Sequence, residues 1–155
     1  MAKRRKRKRL PKHIRRTRHF PRLAKSAHRV TSEEDTQYNC LAFAAGVTDK
    51  KFWPKFYPDY VWPPGLPRFE TVTSLERFYE SYGYVRVNDG DHVDGMEKIA
   101  IFADANGKVT HASRQINAKR WTSKLGGSYD IQHSRDAVSG GMYGEIVAYM
   151  ARPKP

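Results

Sequence analysis

Apolar positions change their spacing along the chain, and the changes divide it into elements. Between Thr73 and Gly83, Leu75, Phe78, Tyr79 and Tyr82 recur three and four apart. That spacing predicts an amphipathic helix with Gly83 as its stop. Val85 and Val87 flank Arg86 in a short edge-strand pattern, and Asn88 to Asp91 form a turn. Lys98 to Ala103 is then an apolar run of strand length. Asp104-Ala105-Asn106-Gly107 reads as a hairpin turn into a partner strand, Lys108 to Gln115. Arg120 to Gly126 is a third strand, Tyr129 to His133 a looser segment, and Tyr143 to Met150 a closing strand.

The front half has a different texture. Thr31 to Thr36 is polar and offers several N-cap residues, and Cys40 to Val47 reads as a short buried helix ending near Gly46. Residues 51–69 carry Trp53-Pro54, Tyr57-Pro58 and Trp62-Pro63-Pro64-Gly65-Leu66-Pro67. No helix or central strand accommodates that many prolines, so a long loop held by packed rings is expected, placed to wall a cleft. Helices first and an antiparallel meander afterwards make an α+β arrangement. No internal repeat is visible.

Charge separates the ends of the chain. Of 155 residues and a formal net charge of +13, residues 1–29 hold 14 Lys or Arg and no Asp or Glu, while the remainder holds 15 basic and 16 acidic residues. The expected organisation is therefore a disordered basic tail over 1–30 and one folded domain over 31–155. Lys3, Arg4, Arg5, Lys6, Arg7, Lys8 and Arg9 are the candidate contacts of that tail with nucleic acid or another polyanion. The single cysteine excludes a disulfide framework and a Cys-rich zinc site. No apolar run reaches the length of a membrane span, and the basic N-terminus lacks the apolar stretch of a secretory signal. A cytoplasmic, reducing location is the expectation, with a secreted effector as the other possibility. The sequence does not indicate an oligomeric state.

The candidate chemistry centres on Cys40. A cysteine at the first turn of a helix is placed where its thiolate is favoured, and it needs a histidine base to act as a nucleophile. His92, His111 and His133 lie in or near the strand region; His92 sits in a polar turn, while His111 sits mid-strand on a rigid mount and is preferred. Metal binding by Asp91, His92, Asp94, His111, Asp130 and His133 is disfavoured because no recurrent ligand spacing appears. No phosphate-cradling glycine loop is present either, so no cofactor is expected.

Tyr38-Asn39-Cys40 with Phe43, Trp53-Pro54, Trp62 to Arg68, Thr110-His111-Ala112-Ser113-Arg114-Gln115, Trp121 to Gly126, Asp130 to His133 and Tyr143-Gly144 follow one another in compact order. Over about residues 36–152 this resembles a family of uncharacterised, mostly bacterial domains. More distantly, the order of cysteine on a helix, histidine on a strand and a polar residue on the next strand resembles the papain-like superfamily, closest to its NlpC/P60-like branch. That resemblance implies a papain-like α+β fold, with N-terminal helices packed on a small antiparallel sheet. It also implies a cysteine hydrolase or acyl-transfer activity on a peptide, amide or ester. Cys40 would be the nucleophile, His111 the base and Ser123 the group orienting it, with Gln115, Asp130 and His133 as auxiliaries. Lys124 is a poor orienter because it accepts no hydrogen bond. Asn39 or the Cys40 N–H would form the oxyanion hole. The alternative is a non-catalytic binding module of the same scaffold, with a basic tail for nucleic acid.

Overall fold

The computed structural model describes residues 8–15 and 18–155. Lys3 to Arg7, expected as anion contacts, lie outside the described residues. A short helix α1 (Lys12–Arg15) and a 3-10 turn (Leu23–Lys25) precede strand β1 (Arg29–Ser32). Helix α2 (Cys40–Ala44), strands β2 (Lys51–Phe52) and β3 (Tyr60–Val61), and helix α3 (Val72–Glu80) follow. The remaining elements are strands: β4 (Val85–Val87), β5 (Met96–Ala103), β6 (Val109–Gln115), β7 (Trp121–Lys124), β8 (Asp130–His133) and β9 (Glu145–Pro153).

The papain-like expectation, helices packed on a small sheet, is corrected here. The dominant element is one seven-stranded sheet in the order β1-β8-β7-β6-β5-β9-β4, with every neighbouring pair antiparallel. The helices of the described residues span only 4, 5 and 9 residues. The meander β5 to β7 follows the expected strand order, while Asp130 to His133, expected as a looser segment, forms the regular strand β8. What enlarges the sheet is the path at its ends: β9 returns along the whole of β5, and β1 adds to β8.

Register shows why two covers are needed. Residues opposite one another on antiparallel strands share a face. Ile101 faces Ala112 and Ile99 faces Met150, and these belong to a core built with Leu41, Leu75, Phe78 and Tyr79 of α2 and α3. The alternate residues Ala100, Phe102, Trp121 and Ile131 form a second core on the other face. That face is covered by Leu10, Phe20 and Leu23 from the basic segment and by Ala137, Val138 and Tyr143 from the β8–β9 connection.

The described part of residues 8–30 is thus folded onto the sheet rather than set apart from it. Leu23 is fully buried and Leu10 nearly so. Backbone bonds fix the path: Val30 N–H donates to the Lys8 carbonyl at 2.7 Å and Met142 N–H to the His19 carbonyl at 3.1 Å. The buried His28 accepts the Leu10 N–H on Nε2 at 3.1 Å. Strand β1 crosses the expected boundary at residue 30.

The aromatic loop 51–69 also has more backbone order than expected, since β2 and β3 pair in parallel over two rungs. Its rings still anchor it: Trp62 stacks on Phe78 with centroids 4.9 Å apart, and Phe52 lies 4.8 Å from the same ring. No helix among the described residues is long and apolar enough to cross a membrane.

Leu23→Ala should lower the unfolding free energy by about 2–5 kcal/mol, the range for truncating a fully buried leucine. Lys12→Ala, on the exposed side of α1, should stay within about 0.5 kcal/mol of wild type. Equal small effects in urea denaturation would mean that the N-terminal segment does not form part of the core.

Candidate functional site

Helix α2 is too short to be stable alone, and its ends are tied by side chains from elsewhere. Asn39 is the N-cap: its Oδ1 accepts from Ala42 N–H at 3.3 Å and from Phe52 N–H at 3.1 Å, and its Nδ2 donates to the Phe52 carbonyl at 2.7 Å. At the other end, the Arg114 guanidinium donates to the Phe43 carbonyl at 2.9 Å and the Tyr79 hydroxyl to the Leu41 carbonyl at 3.0 Å. Asn39 is therefore a clamp between α2 and β2. The same side chain lines the cleft beside Cys40.

These ties press Cys40 against β6. The backbone N–H groups of Ala112, Leu41 and Cys40 itself lie around the sulfur and favour the thiolate, but burial outweighs them and pushes the thiol up to about 11. A first-turn position was expected to favour the thiolate. A helix of 5 residues supplies too little dipole to offset full burial. The residue preceding Ala112 on β6 is His111.

His111, Ser123 and His133 form one chain of hydrogen bonds across three adjacent strands. His111 Nε2 lies 2.9 Å from Ser123 Oγ, and Ser123 Oγ lies 2.7 Å from His133 Nε2. His133 Nδ1 lies 2.6 Å from the Ser134 carbonyl. All three side chains are fully buried.

The chain has one consistent set of protons. A carbonyl can only accept, so His133 carries its proton on Nδ1. Burial, chiefly, pulls the His133 pKa down to about 4, so at neutral pH its Nε2 is a bare acceptor. The Ser123 hydroxyl donates to it, and the Ser123 oxygen accepts from His111 Nε2–H. Burial first, then the neighbouring His133, holds the His111 pKa well below its usual value. A neutral His111 protonated on Nε2 has a lone pair on Nδ1. That nitrogen is buried and has no hydrogen-bond partner.

Tyr143 completes the arrangement. Its ring stacks on the imidazole with centroids 4.0 Å apart and planes 4° apart, while Phe102 meets the imidazole edge-on at 5.1 Å. A stacked ring covers the face of an imidazole and leaves its in-plane nitrogens open. Tyr143 is held by its neighbours: its carbonyl accepts from Thr110 Oγ1 at 2.6 Å. Gly144 follows at φ +67°, and a Cβ there would meet the Ala103 carbonyl oxygen at 2.1 Å, so only glycine lets the chain pass β5 this closely. The register of β5 against β6 shifts between Phe102 and Ala103, beside His111. Bulges of this kind re-aim side chains.

A cleft of about 680 Å³ opens in front of these groups. Cys40, Tyr143, Thr110 and Val109 lie along it with Trp53, Tyr57 and Tyr60 of the aromatic loop. Glu70 anchors one wall, accepting from Trp53 Nε1 at 2.9 Å and pairing with Lys108 at 3.4 Å. The loop walls a cleft, as its composition led us to expect. His111 itself does not line it, and no hydrogen bond joins His111 to Cys40.

Other expected auxiliaries sit elsewhere. Asp130 accepts from the Tyr38 hydroxyl at 2.5 Å and lies 3.9 Å from Lys124 Nζ, in register with Lys124 rather than with Ser123. Gln115 donates to the Gly90 carbonyl at 2.7 Å. His92 faces Asp94 at 3.7 Å in the loop before β5. No group of three His, Cys, Asp or Glu among the described residues is placed to hold a metal ion. Tyr143 was missed as a site residue. Its signal was the Tyr143-Gly144 pair, read as the start of a strand and as part of the family pattern but not as a site.

The model of a domain of unknown function (DUF7689) matches residues 29–151, and the chain belongs to that family. No curated protein and no solved structure matches the chain, so the papain-like link finds no support there.

The unfolded chain protonates its histidines near pH 6.5. The folded chain resists this at His133 and His111, so stability should fall as pH drops from about 6.5 towards 4. His133 alone should cost about 2 kcal/mol at pH 5. Urea titrations at pH 7.5 and pH 5 test this: His133→Gln should be less stable at pH 7.5 but lose less on acidification. An undiminished loss in the variant would assign the pH dependence to other groups.

Proposed function

We propose that the domain is a thiol-dependent hydrolase or acyl-transfer enzyme acting on an amide or ester. The observation that carries this reading is the free Nδ1 of His111. A buried nitrogen without a partner costs about 1–3 kcal/mol. Here the opposite nitrogen is fixed by Ser123, so the lone pair is oriented as a general base requires. The Cys40 sulfur lies at the Ala112 N–H, on the face of β6 that α2 covers. His111, opposite Phe102, belongs to the other face, so the reading requires the two to meet at the bulge beside His111.

In this reading the substrate carbonyl enters the aromatic cleft. The Cys40 thiol gives its proton to His111 Nδ1 as the sulfur attacks the carbonyl carbon. His111 then protonates the leaving amine or alcohol, and the C–N or C–O bond breaks to leave an acyl-thioester on Cys40. Water or another acceptor, deprotonated by His111, attacks the thioester and restores the thiol. Both partners rest uncharged: the thiol is held up and the imidazole down. The proton transfer therefore accompanies attack rather than preceding it. No Cys40–His111 contact exists in the resting fold, so the reading requires one to form when substrate binds.

A second reading is a non-catalytic binding module. It is favoured by the absence of a Cys40–His111 hydrogen bond and by the raised thiol.

Incubation with a panel of p-nitrophenyl esters, followed by intact-mass analysis, separates the two. The enzyme reading expects an acyl adduct on Cys40 that Cys40→Ala abolishes. His111→Gln should slow its formation by about 10²–10⁴-fold, the usual worth of a positioned general base. Ser123→Ala should lower kcat with little change in KM. Acylation that is absent, or unaffected by His111→Gln, would leave the cleft as a binding site only.

A further inference from the structure

A second cleft, about 470 Å³, lies among the basic segment, β1, β8 and the turn before β7, and shares no lining residue with the Cys40 cleft. Its rim carries Arg9, Lys25, Arg29 and Arg120, and no Asp or Glu lines it. These cations differ from their neighbours on the same segment. Lys8 is paired with Glu33 at 2.9 Å and Arg22 with Glu145 at 3.6 Å. Among the described residues, none of the four rim cations is in an ion pair with a carboxylate. Arg29 is steadied by donating to Gln132 Oε1 at 3.0 Å. The buried His28 holds the floor together through its bond from Leu10 N–H, which fixes Arg9 next to it in the chain.

Four unneutralised cations around one depression repel each other, and the fold brings them together from three separate stretches of sequence. We infer that this cleft is a docking surface for the sugar-phosphate backbone of double-stranded nucleic acid, read without regard to base sequence. Besides the four cations the lining is Ala24, Ser26, Ala27, Gln132 and the buried His28, with no Phe, Tyr or Trp, so it offers no exposed stacking platform for unpaired bases. None of the large exposed apolar side chains of the described residues lies in it, so it lacks the apolar face that seats a protein in a lipid surface. Lys3 to Arg7 continue the same charge from Arg9 towards the N-terminus of the sequence. The duplex backbone repeats its charge at short spacing and complements four cations set around one depression. This site is independent of the Cys40 reading.

Salt dependence measures it directly. Binding of the full chain to a fluorescent 20-base-pair duplex is followed by anisotropy between 50 and 200 mM salt. Each phosphate contact contributes about −0.9 to the slope of log affinity against log salt. The Arg9→Gln/Lys25→Gln/Arg29→Gln/Arg120→Gln variant should therefore lose about 3–4 of that slope. It should then weaken about 100-fold less than wild type across the range. Two duplexes of scrambled sequence should bind within about twofold of each other. Should the fourfold variant fail to fold, single Lys25→Gln and Arg120→Gln variants should each lower the slope by about 0.9. An unchanged slope in the cleft variants, with binding lost on removal of residues 1–7, would overturn the proposal in favour of the extreme N-terminus. Binding to phosphatidylserine vesicles without binding to duplex would overturn it in favour of a lipid surface.

Discussion

A sheet that is apolar on both faces must be covered twice, and this requirement organises the chain. Helices α2 and α3 bury one face with Leu41, Leu75, Phe78 and Tyr79. The other face carries Phe102, Trp121 and Ile131, which those two helices do not reach. Leaving them in water would cost about 1.5–3 kcal/mol per side chain, so the cover has to come from the ends of the sequence. The N-terminal segment brings Leu10, Phe20 and Leu23, and the β8–β9 connection brings Val138 and Tyr143. The two covers are joined where Met142 N–H meets the His19 carbonyl at 3.1 Å and Arg22 meets Ser139 at 2.6 Å.

This second face also gives the histidine chain its properties. His111, Ser123 and His133 are polar residues in an apolar layer, and each histidine is kept neutral chiefly by burial. Without the cover, water would solvate them and the single set of protons would dissolve into several. The cover therefore does more than complete a core: it fixes the tautomer of His111. Tyr143 belongs both to the cover and to the wall of the Cys40 cleft, and so links the buried histidine layer to the place where a substrate can enter.

Much of this was legible where a local pattern decided the structure. The helix at Leu75 to Tyr79, the hairpin at Asn106-Gly107, the edge strand at Val85 to Val87 and the meander order all follow from spacing and turn chemistry. The Ser123 contact with His111 was reached through resemblance, and the structure places those two residues in hydrogen bond. Non-local effects were not legible. Leu10, Phe20 and Leu23 are isolated among cations, so composition spoke for disorder. What orders them is an apolar sheet face more than 70 residues later in the sequence. The size of the sheet was missed for a related reason: β9 pairs with β5, not with the strand before it, and no periodicity reports a partner. The clamp that Asn39 forms with Phe52 was not legible either, because only the fold brings Phe52 to its amide.

Two charge environments thus share one small fold for opposite reasons. In the first, charge is suppressed: a buried thiol and two buried imidazoles are held neutral by burial. In the second, charge is concentrated: Arg9, Lys25, Arg29 and Arg120 gather around a depression, with no ion-paired carboxylate among the described residues. Both depend on the N-terminal segment being folded. Its apolar residues seal the histidine layer, and that anchoring sets its cations beside Arg29 and Arg120. A segment with the same charges but without Leu10, Phe20 and Leu23 would keep the net charge of the chain, yet would lose both the covered histidines and the cleft.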